Sequence, residues 1–145
     1  MRRLFWAGFA VVLGWLLSAC AATTTISAAQ AGATIDVRSS TQTVAPRTET
    51  YQSTSFGDYE FRAQAPGYEP FFGILPLKLN GLYMVFDTLA FPPAAAFNLR
   101  QVYPFYEFDI EKKIVRFRKN ETDEWHTHTT FHAEMVQAQT FFNAK

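Results

Sequence analysis

The chain has 145 residues, 48% of them hydrophobic, with 13 Lys+Arg against 13 Asp+Glu and a single cysteine. That length suits one domain, and one thiol excludes an internal disulfide and any multi-cysteine metal site. A balanced charge excludes the strongly basic surface that nucleic acid requires, so no nucleic-acid partner is expected.

Met1, Arg2 and Arg3 form a short positive start, followed by the uncharged apolar run Leu4 to Leu17. At 1.5 Å per residue this run covers roughly 21 Å as a helix, short of the ~30 Å hydrocarbon core. It reads as the apolar region of an export signal, and residues 1–19 are expected to be removed.

Leu17-Ser18-Ala19-Cys20 resembles the lipobox of bacterial lipoproteins. The resemblance implies cleavage before Cys20, a diacylglycerol group on its sulfur and an acyl chain on the new amino group. A thiolate is a far better nucleophile for such a transfer than a hydroxyl. Several acyl chains at ~0.8 kcal/mol per buried CH₂ total on the order of 30 kcal/mol, which makes the anchor permanent. Ala21 stands where an Asp would mark retention in the inner membrane. The resemblance therefore implies the outer membrane, with the domain facing the periplasm. The covalent lipid is the one non-protein group it calls for.

Residues 21–33, AATTTISAAQAGA, carry no charge and one large apolar side chain. That composition suggests a flexible tether from Cys20 to Ala33, with one globular domain over residues 34–145. Removal of residues 1–19 takes two arginines with it, leaving 11 Lys+Arg against 13 Asp+Glu.

From Tyr51 the chain turns aromatic. Thr50 to Phe56 and Tyr59 to Ala65 flank Gly57-Asp58, which predicts a hairpin. In its second arm Tyr59, Phe61, Ala63 and Ala65 share one face, opposite Glu60, Arg62 and Gln64. Leu82, Val85, Phe86, Leu89 and Ala90 fall at helical spacing, so a helix is predicted near 82–90, capped by Asn80 and ended by Pro92 and Pro93.

Val85-Phe86-Asp87-Thr88-Leu89-Ala90-Phe91-Pro92 resembles the signature of the YceK/YidQ family of small bacterial lipoproteins. The likeness covers about a dozen residues. It implies location, not chemistry.

A second hairpin is predicted on either side of a Glu-Lys-Lys turn. Phe108 pairs with Val115 and Tyr106 with Phe117 on one face, and the same register sets Glu107 against Arg116 on the other. Next comes a strand over Trp125 to Phe131, with Trp125, Thr127, Thr129 and Phe131 inward. The three histidines, His126, His128 and His132, then share the outward face. Alternate strand residues stand about 7 Å apart, so a His-x-His pair can share Zn²⁺ or Cu²⁺, with Glu121, Asp123, Glu124 or Glu134 completing the site. The competing reading is a polar edge covered by water. Residues 133–145 fit helix and strand spacing equally.

No Gly-x-Ser-x-Gly elbow and no Gly-rich phosphate loop occur in the sequence. The fold expected is α+β, a small antiparallel sheet with one short helix, a mainly-β sandwich being the alternative. The function expected is non-enzymatic: a lipid-anchored envelope protein with a structural or docking role, its alternative periplasmic metal binding by the histidines. The docking candidates are Tyr68, Phe71, Phe72 and Phe91, aromatics set beside Pro and Gly where packing cannot easily absorb them all; the competing reading, slightly favoured, is that Phe71 and Phe72 plug the core under the helix. The unidentified partner is a component of the cell envelope.

Overall fold

The computed structural model describes residues 21–38, 43–52, 57–79, 81 and 100–144. Its strands are β1 (Ala21–Ala28), β2 (Thr34–Val37), β3 (Thr43–Val44), β4 (Arg47–Gln52), β5 (Glu60–Gln64) and β6 (Phe71–Ile74). These are followed by β7 (Leu77–Leu79), β8 (Arg100–Val102), β9 (Phe105–Asp109), β10 (Ile114–Arg118) and β11 (His126–Thr129), and then by helix α1 (His132–Asn143). The fold is α+β, and every pairing except the parallel β1–β9 contact is antiparallel.

The stretch composed like a tether is a central strand. β1 lies between β9 and β4 in a five-stranded sheet ordered β11-β10-β9-β1-β4, called sheet A below. Three threonines and an isoleucine in a row are β-branched and suit a strand. β4 pairs with residues 21–26 of β1 and β9 with residues 25–28, so every residue of β1 has a strand partner. The strand holds its place with one large side chain, Ile26, fully buried beside buried Thr24. Residues 21–28, expected as part of a tether, are therefore part of the folded sheet.

A second sheet, sheet B, is ordered β3-β2-β5-β6, and β7 pairs with β8 in a two-stranded ribbon. Sheets A and B stack face to face. Phe61 of sheet B meets Phe108 of sheet A edge-on with ring centroids 4.9 Å apart, and Phe71 meets Phe61 at 5.0 Å. Aromatic pairs in this T-shaped geometry add to the stabilisation from buried area. Ile35, Val37, Ala63, Tyr106 and Val115 complete the shared core.

The expected first hairpin does not form. β4 pairs with β1 in sheet A, whereas β5 pairs with β2 and β6 in sheet B. Gly57, at φ +88, belongs to the link between the sheets, of which residues 53–56 lie outside the described residues. The faces of β5 are as expected, with Phe61 and Ala63 in the core and Arg62 and Gln64 turned away. The second hairpin forms in the expected register, Phe108 with Val115, Tyr106 with Phe117 and Glu107 with Arg116.

The helix predicted over 82–90 lies outside the described residues. The helix that is described, α1, occupies the stretch whose spacing was ambiguous. Glu134 accepts the Phe131 N–H at 3.0 Å, half of a capping box that Phe131 has no acceptor to reciprocate. Ala138 and Phe142, four residues apart, are buried against the outer face of sheet B, where Phe142 meets Phe72 and Arg62. The link from β11 to α1 passes edge strand β6 at Gly73, where only hydrogen fits: a Cβ there would stand 2.7 Å from Thr130 Cγ2.

Candidate functional site

The histidine segment faces the opposite way from its expected orientation. His128 stands opposite Val115 and His126 opposite Phe117, so both imidazoles lie on the core side of sheet A, at its rim. His126 stacks on Phe117 with centroids 5.6 Å apart, and His128 Nε2 lies 3.0 Å from Glu134 Oε2. His132 is exposed at the start of α1. The expectation failed because it turned Trp125 inward, whereas Trp125 covers arginines on the outer face. Phe131 is likewise 68% exposed, in the link to α1. The three histidines thus have separate surroundings. Among the described residues, no group of three or more His, Cys, Asp or Glu side chains is placed to hold a metal ion.

The aromatic docking candidates also separate. Phe71 is 1% exposed and packs in the core, and Phe72 is half-buried under Phe142 of α1. Strand alternation between two covered faces absorbs both, so neither is offered to a partner. Tyr68, at 42% exposed, stands free of the core. Phe91 and Cys20 lie outside the described residues.

Between sheet B, the β7–β8 ribbon and α1 lies an open cleft of about 290 Å³, bordered by Asp58, Leu75, Leu77, Arg100 and Glu134. Arg100 stands 3.7 Å from Asp58, and Gln137 donates to Asp58 at 3.2 Å and to Glu60 at 3.1 Å. Glu60 is 1% exposed and is neutralised by Arg38, whose Nη2 donates to it at 2.8 Å. These charges answer one another. Among the described residues the charges of the cleft are paired, and no nucleophile and base are brought together in it. The sequence signal for the Glu60 pair was its alternation with Phe61, which put a carboxylate on a face that a helix later covers.

A cluster not foreseen in the sequence lies at the end of sheet A where β1 begins. β9 runs parallel to β1, so Phe105 starts there, Arg118 of β10 ends there opposite Phe105, and Trp125 precedes β11 there. The Arg118 guanidinium lies 4.4 Å from the Trp125 ring centroid and 5.2 Å from that of Phe105. Lys119 is exposed beside them. Lys78 of β7 pairs with Gln101 of β8, two residues before Tyr103, and burial, followed by the charge of Lys119, holds its ammonium below the usual lysine pKa. Tyr103 packs on Phe117 at 4.4 Å on the inner side of the same end.

Comparison with protein-family models, with curated proteins and with solved structures found no match. No described helix is long and apolar enough to cross a membrane.

Proposed function

We propose that this chain is a bacterial lipoprotein, acylated on Cys20, held at the periplasmic face of the outer membrane, and acting without catalysis by docking on another envelope component. The observation that carries the reading is the lipobox-like Leu17-Ser18-Ala19-Cys20 placed directly before β1. The motif accounts for the only cysteine in the chain. The Val85 to Pro92 likeness to the YceK/YidQ lipoproteins points the same way.

Confinement to a membrane raises effective concentration, so a modest interface suffices for docking. Tyr68 is the described docking candidate that faces solvent, joined by Leu79, Phe131 and Val136 as large exposed apolar side chains. The test is Cys20→Ser in cells fed labelled fatty acid. The wild type is expected to carry label and fractionate with outer membranes, and the Ser variant to accumulate unlabelled and uncut. A Ser variant that is still cut and labelled ends the lipoprotein reading. Crosslinking of the wild type in cells, followed by pull-down, then identifies the partner.

A further inference from the structure

If Cys20 carries the lipid, the anchor has no tether. Consecutive Cα atoms stand 3.8 Å apart, and the residue after Cys20 is already Ala21, paired with Gln52 in sheet A. A lipid-bearing residue joined directly to a central strand fixes which end of the sheet meets the bilayer. This deepens the lipoprotein reading and rests on it. We propose that the β1-start end of sheet A lies on the phospholipid headgroups, with Lys78 and Lys119 meeting lipid phosphates and Trp125 in the interfacial layer.

Three features of that end suit this occupant. Trp and Tyr have an apolar body and a polar tip, which favours the boundary between headgroups and water; Trp125 and Tyr103 both stand here. Lys78 pairs with Gln101, two residues before Tyr103, and Lys119 directly follows β10. Both ammonium groups thus come to the end where Tyr103 meets Phe117, and phosphates of one headgroup layer would neutralise both. Arg118 is already committed, lying near Trp125 and Phe105 and donating to the Glu121 carbonyl. The acidic groups of the same loop are Glu121, Asp123 and Glu124. Asp123 is taken up by Asn120, whose N–H and side-chain amide both donate to it at 3.0 Å. The surface is therefore one of mixed charge, suited to phospholipid headgroups in general rather than to a polyanion.

Height also matters. Phe105 pairs at the level of Thr25, four residues along β1 from Ala21, roughly 13 Å at the rise of a strand. The Lys119–Trp125 link joins β10 to β11 at this end of sheet A. Contact on the β11 side accordingly leans the sheet toward that side.

With residues 1–19 removed, Trp125 is the only tryptophan of the chain and so a built-in reporter. The full acylated protein, extracted from membranes and reconstituted into phosphatidylethanolamine–phosphatidylglycerol vesicles, would be mixed with a headgroup-labelled nitroxide lipid. The expected result is strong quenching of Trp125, at least halved in Lys78→Glu, Lys119→Glu, with the circular dichroism of the variant unchanged. Protein that floats with the vesicles yet shows no quenching overturns the inference and leaves the anchor standing. Equal quenching in the double variant overturns the lysine–phosphate contacts. Protein that carries no acyl chain overturns both the anchor and the inference.

Discussion

Thr130 lies directly over Gly73, so close that a Cβ on the glycine would meet both the Thr130 side chain at 2.7 Å and the Phe61 ring at 2.8 Å. The contact is where the chain leaves sheet A, passes the edge of sheet B and enters α1. Gly73 is there for space, since its φ is not in the left-handed region. Gly73→Ala is expected to cost about 1–3 kcal/mol through overpacking. Urea unfolding reads this as a lowered midpoint. Adding Thr130→Ala should recover part of the loss and leave the share due to Phe61.

The aromatic pair Phe71-Phe72 supplies a second expectation. Phe71 is buried against Phe61, whereas Phe72 is half-buried beneath α1, where it meets Phe142, and Tyr68 is largely exposed. Phe71→Ala is expected to lose about 3–5 kcal/mol, Phe72→Ala less, and Tyr68→Ala almost none. Thermal unfolding of the three variants checks the ranking. A Phe71→Ala variant as stable as the wild type would return Phe71 to the list of docking residues.

How far these features were legible in the sequence depends on how local they are. The 106–118 hairpin is closed by a short turn, and alternation together with the Glu107–Arg116 charges left one register that suited both faces. The supposed hairpin at Gly57 failed because β4 finds its partner in β1, whose polar composition gives no sign that it is central. The histidine strand was oriented by assuming that Trp125 seeks the core. Its neighbours across the sheet decide otherwise, because Val115 and Phe117 are inward and carry His128 and His126 with them. Nothing in the spacing of residues 119–125 announces that Trp125 will cover Arg118.

Asp109 makes the fold sensitive to acid. Burial raises its pKa, but the hydrogen bonds from the Lys112 N–H and the Gln30 amide, with the Lys112 ammonium, outweigh burial and hold it below the usual aspartate range. A carboxyl depressed in the folded state stabilises fully above its unfolded pKa, and the contribution fades as pH falls through the folded value. Stability is therefore expected to fall below about pH 4 by a share that Asp109→Asn lacks. Paired urea titrations across acidic pH, wild type against variant, measure the difference; parallel curves would refute it.

The strand in place of a tether has the widest consequence, because under the proposed acylation of Cys20 it decides whether the domain swings on its anchor or stands fixed. A solvated tether is indifferent to its side chains. β1 is not: Ile26 is fully buried opposite Tyr106, and the Thr25 N–H donates to the Pro104 carbonyl at 2.7 Å. Ile26→Ala is expected to cost about 2–5 kcal/mol from lost contacts and the cavity left behind. Thr25→Pro removes that donor in mid-sheet, where a proline has no place, and is expected to prevent accumulation of the folded protein. Thr23→Ala, at an exposed position of the same strand, supplies the control and should change the unfolding midpoint little. A set in which Ile26→Ala and Thr25→Pro unfold like the wild type would restore the tether and, with it, a domain free to reach partners away from the membrane. The expected set, two damaged variants beside an intact control, keeps β1 in the sheet; on the proposed acylation of Cys20, the lipid would then join the sheet with no tether between them.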